Sequence, residues 1–225
     1  MIRKRSATAG DLGLTRAEFA VLRRLDTPEK IQAFLFGLKQ NFERKGDTCN
    51  AVRTVLRERR AHCIEGAMLA AAALWVHGEP PLLFDLRAAR DSDHVLTLFR
   101  RRGHWGALAK TNGVGLRYRD PIYRTLRELA LSYVHEYANY RGRKTLREYS
   151  IPFDLRRMDP KVWVTGEKGA WDVSVRLDEV RHYRLMSRAQ ENALMRRDPF
   201  ERRVAARITQ YREPRKVKHA GSTYT

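Results

Sequence analysis

The sequence predicts an α+β fold in which a central helix packs on an antiparallel sheet. Three observations carry the prediction. The segment from Cys63 to about Val76 is apolar and rich in alanine, so neighbouring backbone can approach it closely on several sides. Helical patterns dominate the chain before it. After Pro80-Pro81 the character changes to short apolar runs separated by turn residues, which read as strands able to pack on that helix.

The elements follow in order. Thr27-Pro28-Glu29 supplies an N-cap, a proline at the first helical position and an acidic first turn. Ile31, Phe34, Leu35 and Leu38 then recur at helical spacing, and Lys45-Gly46-Asp47 is the expected end. A short helix is expected over 51–57. The central helix opens at Cys63 and is stopped by Gly78. Leu82 to Arg87 reads as a strand. His94 to Phe99 and Trp105 to Ala109, separated by a turn containing Gly103, read as a β-hairpin.

Asp120-Pro121 is expected to start a long helix with Ile122, Leu126, Leu129, Tyr133 and Tyr137 on one face, closed by 139–142. Residues 146–155 are expected to be irregular. A second hairpin is expected over 162–164 and 171–175, a further strand over 180–186, and helix over 188–212. The organisation read from this is a core over 1–145, a C-terminal hairpin and helix over 146–213 packed on it, and a basic disordered tail over 214–225.

Lys and Arg number 45 against 26 Asp and Glu, a formal net charge of +19 over 225 residues. Such an excess favours an anionic partner or nucleic acid. The charge is spread in pairs and triplets such as Arg59-Arg60 and Arg100-Arg101-Arg102, so no dedicated basic arm stands out, and solvated Arg-rich faces are the plainer reading. The basic N-terminus lacks the apolar run of a signal peptide, and Ala67 to Val76 is too short to span a bilayer. A cytoplasmic location, free thiols and no membrane partner are therefore expected.

The chemistry centres on Cys63. A thiolate is stabilised by a helix N-terminus and by nearby imidazolium, and Cys63 is placed at the start of the central helix. Against this, free cysteine is a frequent inert core residue. Of seven histidines, His94 is the candidate base, because it opens a strand directly after the charged loop 90–93. His62 adjoins the thiol, and on a helix its side chain would point away. With the hairpin turn centred near Arg102, His94 lies opposite Lys110 and Asn112 lies diagonal to it, within reach to orient the ring. A one-residue change of register would remove Asn112 from that face. Asp120 is the rival orienter, although Asp-Pro favours a helix cap. Glu65 reads as a first-turn charge favourable to the helix dipole.

The stretches "AHCIEGAMLAAAALWVHG", "DSDHVLTLF" and "GHWGALAKTN" together resemble the transglutaminase-like superfamily, cysteine enzymes with a papain-like core. The preceding "TPEKIQAFLFGLKQNF" is similar to the helix before the nucleophile in such proteins. The resemblance covers about residues 25–115. It implies Cys63 as nucleophile, His94 as base and Asn112 as orienter, acting on an amide of a protein or peptide substrate by hydrolysis or acyl transfer. The family usually has Gly-Asp or Gly before the cysteine, where this chain has Ala61-His62.

No cofactor is implied: two cysteines and scattered histidines form no zinc spacing, and Gly113-Val114-Gly115 is not a phosphate loop. The alternative is a catalytically inactive module of the same fold that binds nucleic acid or an acidic protein. Trp163, Trp171 and Tyr183 with Arg176, Arg181 and Arg184 are the candidate surface for it.

Overall fold

The computed structural model describes residues 6–44 and 46–212. The expected tail over 214–225 lies outside the described residues. The chain begins with three helices, α1 (Ala9–Leu12), α2 (Arg16–Arg24) and α3 (Pro28–Gly37). Thr8, Thr15 and Thr27 cap them, each hydroxyl accepting an N–H from the first turn. Helix α3 ends at Gly37, well before the expected stop at Lys45-Gly46-Asp47, and its chain continues into the short strand β1 (Lys39–Gln40). Strand β1 pairs in parallel with β2 (Arg60–Ala61) after helix α4 (Val52–Glu58).

Helix α5 spans Cys63–Val76, the expected bounds. Ala67, Ala70, Ala71, Ala72 and Ala73 are all fully buried, which a helix with one polar face could not achieve. Helices α2, α3 and α4 pack around it on one side. On the other side lies the sheet, whose first strands are β3 (Leu82–Ala88), β4 (His94–Arg101) and β5 (His104–Leu108). Thr97 of β4 donates its hydroxyl to the Ala67 carbonyl of α5 at 2.6 Å, tying strand to helix. Gln32 of α3 closes a two-way bond with the backbone of Ala109 (2.8 and 3.0 Å). These ties fix the helix start and the hairpin relative to each other.

Downstream the structure departs from expectation. The run after Asp120 is a strand, β6 (Arg119–Tyr123), followed only by the short helix α6 (Leu126–Leu131). Thr125 and Glu128 form a capping box that starts the helix there, and Pro121 sits on an edge strand, where its missing N–H is tolerated. Ile122 is exposed, so the helical face assigned to it does not exist. The expected irregular stretch contains β7 (Leu146–Ser150) and β8 (Phe153–Asp154).

The expected second hairpin is instead two helices, α7 (Pro160–Trp163) and α8 (Trp171–Glu179). Asp159-Pro160 caps the first, and buried Val173 and Leu177 give the second its apolar stripe. Strand β9 (His182–Arg184) falls within the expected 180–186, and α9 (Arg188–Ala193) and α10 (Pro199–Arg207) occupy the expected helical region.

The larger sheet has the order β6-β5-β4-β3-β7-β9, with β8 also pairing β3. Since β3 pairs with both β4 and β7, residues 146–150 are part of the same sheet as the hairpin that carries His94. One apolar cluster surrounds α5; a second, with Phe84, Leu96, Leu129 and Tyr133, includes residues of the sheet and of α6.

Candidate active site

Helix α5 begins at Cys63, and the N–H groups of its first turn have no intrahelical acceptors. His62 precedes it in extended conformation (φ −100°, ψ −167°). That backbone decides the geometry. Because His62 is a cap residue and not a helical one, its ring does not point away. Its Nδ1 lies 4.0 Å from the Cys63 sulfur. The sequence rule that set His62 aside applies within a helix, and the residue lies just outside it.

The far side of the His62 ring is equally defined. Nε2 donates to the Thr48 carbonyl at 2.9 Å and lies 3.3 Å from Glu65 Oε1. A carbonyl and a carboxylate only accept, so Nε2 carries the proton. Glu65 is fully buried and is no surface charge. It accepts the backbone N–H of His62 (2.9 Å) and of Asn50 (2.9 Å), the Asn50 amide (2.6 Å), the Asn41 amide (3.1 Å) and the Thr48 hydroxyl (3.0 Å). Burial alone would raise its pKa, but the His62 ring and these donors hold it at about 2. For His62, burial works against the charged form. Hydrogen bonds to Cys63 and Glu65 and their negative charges overcome it and raise the imidazole to about 11.

His94 reaches the thiol from the sheet. Its Nε2 donates to the Leu116 carbonyl at 3.0 Å, so Nδ1 is the ring nitrogen not engaged by that bond. Burial would push the Cys63 thiol up, yet hydrogen bonds from His62 and His94 and their charges bring it down to about 5. The thiol also lies 4.0 Å from the Asp93 carbonyl, and Cys63 keeps partial solvent exposure. Cys49 is the contrast. It is buried, its thiol faces the Ala170 carbonyl, and burial together with the charge of Glu65 pushes it up to about 12. Both cysteines are free.

The structure thus brings Cys63 and His94 together and does not bring Asn112 to them. Thr97 pairs with Leu108 and Arg101 with His104, so the hairpin turns on Arg102 and Gly103, both at positive φ (47° and 81°). That register runs one residue away from the one placing His94 opposite Lys110, and continued to the start of β4 it sets Thr111 opposite His94. The Asn112 amide is spent elsewhere: Nδ2 donates to the Tyr211 carbonyl and Oδ1 accepts the Tyr211 N–H, both at 2.9 Å. The ring of His94 is bonded instead to the Leu116 carbonyl. No side-chain pattern announces a backbone carbonyl, so the sequence held no signal for it. Asp120, the rival orienter, lies on β6.

Other sequence candidates also have definite places. Trp163 is fully buried and stacks near Trp75 (ring centroids 6.2 Å apart), so it cannot belong to an aromatic binding surface. His182 bonds Asp85 Oδ2 at 3.1 Å. Among the described residues no zinc-type group of cysteines and histidines converges, while carboxylate oxygens of Asp85, Asp93 and Asp178 come within 4.8 Å of one another. Among the described residues no helix is long and apolar enough to cross a membrane.

No protein-family model matches the chain, and no curated protein matches its sequence.

Proposed function

We propose that the protein is a transglutaminase-like cysteine enzyme that cleaves or transfers the acyl group of an amide in a protein or peptide. The observation that carries this reading is one thiol, at the first position of a buried helix, with the His62 ring 4.0 Å away, held down at about 5 by the His62 and His94 imidazoles. An inert structural cysteine has no use for that environment, as Cys49 illustrates.

The thiolate of Cys63 attacks the amide carbon, and the carbonyl π electrons move onto oxygen. Backbone N–H groups at the start of α5 stabilise that oxyanion. The C–N bond then breaks as the leaving nitrogen takes a proton from His94 Nδ1, giving a thioester and a free amine. In the second half, neutral His94 takes a proton from water or from an acceptor amine, which attacks the thioester and releases Cys63. The Leu116 carbonyl keeps the His94 tautomer fixed throughout. His62, clamped by Glu65 and Thr48, stays cationic and stabilises the thiolate between turnovers.

The test is turnover of dansylated casein with a primary-amine acceptor, together with release of ammonia or peptide. Activity that vanishes in Cys63→Ser and falls at least about 100-fold in His94→Ala supports the reading, since positioned acid–base groups contribute about 10²–10⁴-fold. Equal turnover by Cys63→Ser would refute it.

A further inference from the structure

Beside the helix that Cys63 opens, one buried cation lacks a hydrogen-bond partner among the described residues. Lys110 follows β5 and is 1% exposed, and its ammonium makes no hydrogen bond to them. Its stem runs against α5 at Gly66, where an added Cβ would lie 2.4 Å from Lys110 Cβ. Gly66 is one helical turn from Cys63, so Lys110 lies alongside the start of the nucleophile helix. Burial and the like charge of Arg117 push the amine down to about 8. A buried ammonium with no anion to face is costly, and a site that receives an anion removes that cost.

Residues 209–211 lie over this position. The Tyr211 ring faces the Lys110 ammonium, centroid 5.5 Å away. Gly113 and Thr209 form an antiparallel bridge, and the Gln210 N–H donates to the Asn112 carbonyl at 2.9 Å. The Asn112 amide grips both the N–H and the carbonyl of Tyr211. These bonds read main chain, in the manner of a strand added to a sheet edge, and any extended residue could accept them. The side chain of Gln210 adds bonds to the Phe36 carbonyl (2.7 Å) and from Arg117 (2.8 Å). The loop from 112 to 117 that forms this edge also supplies the Leu116 carbonyl to His94.

We propose that the groove edged by Asn112, Gly113 and Arg117 binds an extended peptide with an acidic side chain seated on Lys110, and that residues 209–211 fill it in the free protein. This deepens the proposed function by naming the substrate class. It rests on that reading only for the chemistry after binding.

The experiment is fluorescence anisotropy with two labelled, acetylated pentapeptides that differ only in a central glutamate or glutamine. All proteins carry Cys63→Ser, so binding is measured apart from chemistry. Gln210→Ala with Tyr211→Pro loosens the chain's own segment and leaves the groove intact. That variant should bind the glutamate peptide at least tenfold tighter than its parent, and at least tenfold tighter than the glutamine peptide. Adding Lys110→Met should abolish the preference, whereas adding Lys168→Met on an exposed site should retain it; this separates the groove from the general positive charge. Arg117→Gln, read in the same way, should weaken the preference and serves if Lys110→Met does not fold. Equal binding of the two peptides, survival of the preference in Lys110→Met, or no gain on loosening 210–211 would each overturn the proposal. Selective binding without turnover of bound peptide in the Cys63 protein would instead count against the proposed function alone.

Discussion

The pH dependence of Cys63 alkylation is the sharpest consequence of two imidazoles on one thiol. With its pKa near 5, Cys63 should be almost wholly thiolate at pH 6, against about 0.3% for an ordinary thiol with pKa about 8.5. The gain in rate is far smaller than that ratio. Nucleophilicity falls with pKa at a Brønsted slope of about 0.4–0.5, so a drop of about 3.5 units gives back roughly 40-fold. The net advantage at pH 6 is therefore only about five- to tenfold, and the diagnostic feature is the shape of the profile.

Iodoacetamide rates, mapped to Cys63 by mass spectrometry, should be flat from about pH 6 to 9 and fall with a midpoint near 5. Cys49, pushed up to about 12, should remain unlabelled. His62→Gln and His94→Ala should each raise the midpoint by about 1–3 units, the usual effect of removing one nearby cation. The double variant should titrate above about 8.5, because burial then acts unopposed. A wild-type midpoint near 8.5, or one unmoved by both single variants, would refute the reasoning.

The remaining predictions concern the structures that hold this site. Asn112→Ala should leave the Cys63 midpoint and the rate plateau unchanged, since its amide bonds Tyr211; a shifted midpoint would restore it as the orienter of His94. Glu65→Gln should destabilise the fold by about 2–4 kcal/mol in urea, because a fully buried, multiply hydrogen-bonded carboxylate is replaced. The Glu65 carboxylate is held at about 2 against an ordinary 4.5, so its stabilisation is complete above about pH 4.5 and lost as pH falls toward 2; the variant should lack that dependence. Ala71→Leu, on a helix buried on all sides, should cost about 1–3 kcal/mol or more by overpacking, read as a lowered Tm.

The sequence was most legible where local chemistry and packing agree. Thr27-Pro28 announces α3, and the alanines after Cys63 announce a helix enclosed by other backbone. The strands β3 to β5 are bounded by Pro80-Pro81, by the charged loop 90–93 and by Gly103. Where helix and strand patterns overlap, periodicity misled. Ile122, Leu126 and Leu129 fit one helical face, yet Thr125 begins a new helix and leaves Ile122 exposed on an edge strand. Val162 and Val164 suggested a strand, but Asp159-Pro160 is a helix start.

At the site, order along the chain singled out Cys63 and His94, and His94 stands where its ring lowers the thiol pKa. The choice of Asn112 depended on hairpin register; the observed register is one residue off, the Asn112 amide bonds Tyr211, and the Leu116 carbonyl accepts from His94. The residue set aside, His62, proved to lie against the thiol because a cap residue follows different geometry from the helix it precedes.

Capture of the acyl-enzyme tests the central claim most directly. Brief incubation with p-nitrophenyl acetate at pH 6, followed by intact and peptide mass spectrometry, should show one acetyl group on Cys63, formed in a burst and lost more slowly. The burst should slow in His94→Ala and disappear in Cys63→Ser. Acetylation confined to lysines or tyrosines, with Cys63 unmodified in the wild-type protein, would contradict the assignment of Cys63 as a nucleophile.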